Sequence, residues 1–214
     1  MNDKMKLNFK YSIELETKRV LDTISRLDWF SKNHYKTEFL IFPKGVSIDD
    51  PKNKIVKKIK EEFDIDKYTE AEKSLMRLFY LYELKFISFI EKFGLTPIPN
   101  IDIILTKYGI GGSYNLPNII TVNFSIFFNI GLLRTVLHEI IHLHIQHLID
   151  KFKIEQWQKE VIVDNLFEKF SSNISKKQKY PMDMSKIEKI FNEYYPNLEL
   201  IMDNISKKLN QKTG

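Results

Sequence analysis

Apolar positions alternate loosely along Lys6–Leu15 (Leu7, Phe9, Tyr11, Ile13, Leu15), a strand pattern. From Glu16 to Ser31 they recur at helical spacing through Val20, Leu21, Ile24, Leu27 and Phe30. Glu38–Phe42 is a short apolar run closed by Pro43 and Gly45, and reads as a strand. Lys52–Phe63 has helical spacing, and Thr69–Glu72 matches a capping box opening a long helix to Phe93, before Gly94. Pro97 and Pro99 end this helical half. Ile101–Thr106 and Ile119–Phe124 then read as two strands of a hairpin around the Gly-rich stretch Tyr108–Ser113. Leu132–Ile149 is a helix, Asp150–Lys153 a short connection, and Ile154 to Phe170 a second helix. Pro181 and Pro196 punctuate a helical remainder. With no internal repeat or linker, the expected fold is a single α+β domain over 1–214: a mainly helical part (1–96), a core (97–171) and a C-terminal helical part (172–214).

The chain has 214 residues, 43% hydrophobic and 13% aromatic, enough apolar surface for a core and against global disorder. Cysteine is absent, which removes disulfides, thiol nucleophiles and thiolate metal sites, so any metal must rest on histidine and carboxylate. Charges run through Met1–Val20 without the apolar stretch of a secretory signal, and no long uninterrupted apolar window occurs; a cytoplasmic chain without a membrane span is expected. The net charge of +5 comes mostly from lysine, since four of the 33 basic residues are Arg. Arg is the side chain suited to bidentate phosphate and base contacts, so a nucleic-acid role through Lys52–Lys60 and Lys176–Lys179 is the weaker expectation.

The chemistry concentrates in His138-Glu139-Ile140-Ile141-His142, an HExxH pattern inside an independently helical segment. At ~100° per residue, His142 lies ~40° around the axis from His138 and one turn along, so both imidazoles reach one ion while Glu139 flanks it. Two neutral imidazoles suit Zn2+, and a carboxylate beside them can serve as general base. His144 and His147 fall at ~240° and ~180° from His138 and read as packing or surface residues. Ile145 and Leu148 stand where the metzincin pattern needs Gly and His, which excludes that branch. The third ligand is expected on the next helix, where Glu160 and Asp164 share a face at i, i+4. An antiparallel helical hairpin brings Glu160 level with the two histidines, and Asp164, one turn on, can accept the second ring N–H of His138. Glu155 and Glu168 fall off that face.

Residues 118–170 thus resemble the gluzincin branch of zinc metallopeptidases, the thermolysin-like group, where HExxH is followed on a second helix by Glu in an E-x-x-x-D context. The resemblance implies a zincin-like core with His138, His142 and Glu160 as zinc ligands, Glu139 as general base and Asp164 behind the ligands. Lys159 departs from the group, which has Asn before its ligand Glu. The group also places an antiparallel edge strand before the motif helix for an extended substrate; Ile119–Phe124 is expected there, rimmed by the Tyr108–Tyr114 loop. A donor to the oxyanion is required as well, with Tyr114 and Tyr180 as candidates and Tyr114 preferred. The expected function is therefore zinc-dependent peptide hydrolysis on a peptide or protein substrate. A non-catalytic zinc module is the alternative, and Glu139, of no use to a closed structural site, speaks against it.

Overall fold

The computed structural model describes residues 4–36 and 40–209. It is an α+β fold, with a small mixed sheet and helices around it. Strand β1 spans Lys6–Lys10, β2 Asn100–Thr106, β3 Gly112–Asn115 and β4 Ile119–Asn123, in the order β1-β2-β4-β3. The first three in that order run parallel, and β3 pairs antiparallel with β4 (Gly112 with Val122, Asn115 with Ile119).

This corrects the expected hairpin. The segment between β2 and β4 is long enough to carry the chain past β4 and back, and β3, cut from the Gly-rich stretch, becomes the antiparallel partner. It also corrects the expected edge: Ile119–Asn123 is flanked on both sides, and β3 stands at the border of the sheet. Near the N-terminus the strand stops at Lys10 rather than Leu15. Ser12 caps helix α1 (Ile13–Ser25), its Oγ accepting from Leu15 N at 3.2 Å. The expected helix to Ser31 is divided at Arg26, after which α2 runs Leu27–Lys32. The expected strand Glu38–Phe42 lies partly outside the described residues; Ile41 forms an isolated bridge with Gly109.

Helix α3 spans Lys52–Glu62, as its spacing predicts. The long helix, α4, starts at Ile65 rather than Thr69: Asp64 accepts from Asp66 N at 3.2 Å, and Thr69 Oγ1 donates back to Ile65 O at 3.0 Å from inside the helix, ending at Glu91. Helices α5 (Ile130–Phe152) and α6 (Gln156–Phe170) follow β4, with Lys153 in the left-handed region (φ +53°) closing α5 and a Glu155–Gln158 capping box opening α6. Helices α7 (Ser185–Tyr194) and α8 (Leu198–Leu209) complete the chain. One apolar cluster extends from Met5 to Ile205, and a smaller one joins Val20 of α1, Ile55 and Ile59 of α3, and Tyr108. No helix among the described residues is long and apolar enough to cross a membrane.

Beside the smaller cluster lies Glu16, fully buried. Its Oε1 accepts from Tyr68 Oη and from Lys107 N (2.6 Å), while Oε2 has no partner. Burial raises its pKa to about 7 against the opposing pull of these donors, Lys107 and Arg19. Folded protein therefore holds a proton on Glu16 that unfolded protein releases above the ordinary carboxylate range, so this stabilisation is present at acid pH and fades as pH rises toward 7. A slope of up to ~1.4 kcal/mol per pH unit follows in that window. Urea unfolding between pH 5 and 8 should show Glu16→Gln losing that fall relative to wild type; parallel curves for the two proteins would contradict it.

Candidate metal centre and cleft

Helix α5 is enclosed by β3, β4, α4, α6 and α8, so its polar residues must find partners inside the protein. His144, as expected, is a packing residue: Nδ1 donates to Ile140 O (2.8 Å), Nε2 accepts from Ile98 N (3.2 Å), and burial lowers its pKa. His147 is exposed. Glu155 serves as the α6 cap, and exposed Glu168 pairs with Lys177 at 3.2 Å, so both lie off the site.

His138, His142 and Glu160 converge, the one group of this kind among the described residues. His138 Nε2 and His142 Nε2 are 3.0 Å apart, and each is 3.4 Å from Glu160 Oε2. Ligand atoms bonded at ~2.0–2.1 Å around a tetrahedral ion sit roughly 3.3 Å from one another, so this triangle has the dimensions of three corners of a zinc site. Electrostatics agree. Burial lowers the pKa of both imidazoles; at His138 the carboxylates of Glu160, Glu139 and Asp164 outweigh it and raise the value to about 9, whereas at His142 burial wins and lowers it to about 4. Burial also opposes ionisation of Glu160, yet the two histidines hold its pKa well below the ordinary range.

Behind the triangle, Asp164 Oδ1 lies 3.4 Å from His138 Nδ1, the expected place. Asp164 Oδ2 accepts from Tyr180 Oη (2.6 Å) and Gln178 N (3.0 Å), so Tyr180 supports Asp164 instead of facing an oxyanion. Both oxygens of Glu160 take amide donors: Gln156 Nε2 on Oε1 and Gln178 Nε2 on Oε2, each at 2.9 Å. His142 Nδ1 is buried without a partner. Lys159 Nζ instead donates to Tyr114 Oη at 3.1 Å and lies 4.0 Å from Glu160 Oε1.

Tyr114, on β3, stacks on the His142 ring (4.9 Å, 8°) and donates its hydroxyl proton to Gln146 Oε1. It therefore meets an oxyanion only by exchanging that partner. Glu139 is buried beside the triangle, outside the set of three ligand atoms, and burial raises its pKa to about 7. Its carboxylate lies against the backbone of β3: a Cβ on Gly112 would sit 2.5 Å from Glu139 Oε1 and 2.7 Å from Thr135 Cγ2. Arg19 of α1 holds the loop entering β3, donating to Ile110 O (2.9 Å) and Ser113 Oγ (3.0 Å). Gly109, at φ +82°, leaves room for that guanidinium, since a Cβ there would meet Arg19 Nε at 2.6 Å.

His138, Glu139, His142, Glu160, Asp164 and Tyr114 open on one cleft of about 1190 Å3. Two members of an aromatic stack, Trp29 and Tyr35, also line it: their rings stack at 5.5 Å, Trp157 stacks in turn on Tyr35 (4.9 Å), and Tyr35 Oη accepts from Gln156 Nε2 at 2.9 Å. Only the local density of aromatics around Trp29 and Tyr35 hints at it in the sequence, where it reads as core. No protein-family model, curated protein or solved structure matches this chain.

Metal analysis should find about one ion per chain, lost in His138→Ala and His142→Ala, and strongly weakened in Glu160→Gln. Asp164→Asn should lower affinity by roughly 10–100-fold. Metal at ~1,000 times its Kd adds ~4 kcal/mol, which for a chain of this size raises Tm by roughly 8–16 °C. Full metal retention by the double histidine variant would refute the site.

Proposed function

We propose that the protein is a zinc-dependent hydrolase with a zincin-like core and a gluzincin-type ligand set, and that it cleaves peptide bonds. The carrying observation is the position of Glu139: a buried carboxylate beside three converged ligand atoms but outside them, against the backbone of the border strand β3. A structural site has no use for such a group.

His138, His142 and Glu160 would hold the zinc, which when bound supplies Lewis acidity to the scissile carbonyl and to water. Glu139 takes the proton of the attacking water as its oxygen bonds the carbonyl carbon, then delivers that proton to the amine nitrogen as the C–N bond breaks. Strand β3 offers its outer edge to an extended chain, so main-chain hydrogen bonds position the substrate. The stacked Trp29 and Tyr35, backed by Trp157 on Tyr35, line the same cleft.

Zinc-loaded protein incubated with a broad peptide mixture should yield new termini detectable by mass spectrometry. Glu139→Gln should keep its metal and Tm while losing at least ~10²-fold in turnover. Gly112→Ala should also keep the metal, because its methyl displaces Glu139 rather than a ligand, and lose turnover. A wild type that cleaves nothing, with Glu139→Gln altering stability alone, would leave a non-catalytic zinc module.

A further inference from the structure

Among the described residues, the charges lining the cleft are one-sided. Outside the centre itself (Glu139, Glu160, Asp164), five described cationic residues line it against a single described carboxylate, Asp150, which is engaged by Gln146 Nε2 at 2.7 Å. Lys159 is committed to Tyr114 and Glu160. Arg26 and Arg134 are not: among the described residues neither has a carboxylate within ion-pair distance, and each guanidinium rests on aromatic rings. Arg26 Cζ lies 4.7 Å from the Trp29 centroid and 5.5 Å from that of Phe30, at the aromatic stack. Arg134 Cζ lies 5.9 Å from the Phe127 centroid, one α5 turn before His138, and the same Phe127 ring backs Gly111 where β3 begins. Two of the chain's four arginines thus line one cleft, together with the residues of β3.

A guanidinium held on a ring has little freedom left to lose and is weakly hydrated, which suits a bidentate pair with an incoming carboxylate. A concave wall of one sign raises the local concentration of oppositely charged ligand and repels like charge. We infer that the cleft selects acidic peptide segments, with Arg26 and Arg134 receiving Asp or Glu side chains of the segment that lies at the metal centre. A peptide is favoured over a nucleic acid because the free edge of β3 matches a main chain, whose amides and carbonyls pair with it. This inference rests on the peptidase reading for its substrate class, yet binding tests it without turnover.

The test uses zinc-loaded Glu139→Gln protein and labelled peptides of equal length, rich in Asp/Glu, in Gln, or in Lys, with a single-stranded oligonucleotide as a fourth ligand, read by fluorescence anisotropy. The acidic peptide should bind at least ~10-fold more tightly than the Gln peptide, and more weakly as salt rises. Adding Arg26→Glu and Arg134→Glu should abolish that preference and favour the Lys peptide, with zinc content and Tm unchanged. Equal binding of the three peptides, an acidic preference that survives the double reversal, or tighter binding of the oligonucleotide would overturn the inference. Cleavage without acidic preference sinks this inference alone, and acidic binding without any wild-type cleavage sinks the peptidase reading alone. If the double reversal loses zinc, Arg26→Gln with Arg134→Gln replaces it and must still remove the preference.

Discussion

Three lone-pair atoms, His138 Nε2, His142 Nε2 and Glu160 Oε2, are brought within 3.0–3.4 Å of one another in the interior, and the surrounding structure follows from that. Two imidazole nitrogens this close repel unless a proton or a metal ion lies between them. The protein supplies everything such a cation needs: an ionised carboxylate fixed by Gln156 and Gln178, and Asp164 behind His138, itself fixed by Tyr180. Removing one of these groups would leave another buried polar atom unsatisfied, which costs far more than an exposed pair contributes.

The part of the site carried by local periodicity was legible in the sequence. HExxH fixes its own geometry once it is helical, and the α5–α6 hairpin sets the height of Glu160 and Asp164 by counting residues. What depends on distant pairing was not. Nothing local distinguishes a hairpin of 101–106 with 119–124 from the parallel pairing that forms, because both segments are apolar and β-branched. The outcome turns on whether the Gly-rich stretch between them is a loop or a strand, and Gly112–Asn115 is too short and too poor in β-formers to announce β3. Gln178 and Tyr35 lie 18 and 125 residues from Glu160 and carry no pattern that ties them to it. The departure at Lys159 was readable in the sequence; that His142 Nδ1 is buried without a partner was not.

The converged site and the space before it come from separate elements. Helices α5 and α6 carry His138, His142, Glu160 and Glu139, whereas β3 and the stacked Trp29 and Tyr35 line the space before them. Arg19 links the two halves, reaching from α1 to pin the loop that aligns β3 with Glu139. In the lysine-rich segments, Lys54, Lys58 and Lys177 each lie on a carboxylate at the surface, while Lys176 lines the cleft.

The most direct measurement of the central claim is an anomalous difference map at the zinc edge from crystals grown with equimolar zinc. One strong peak is expected, ~2.0–2.2 Å from His138 Nε2, His142 Nε2 and a Glu160 oxygen, with Glu139 outside bonding distance. No peak there, or a peak held by Glu139 in place of Glu160, would contradict it.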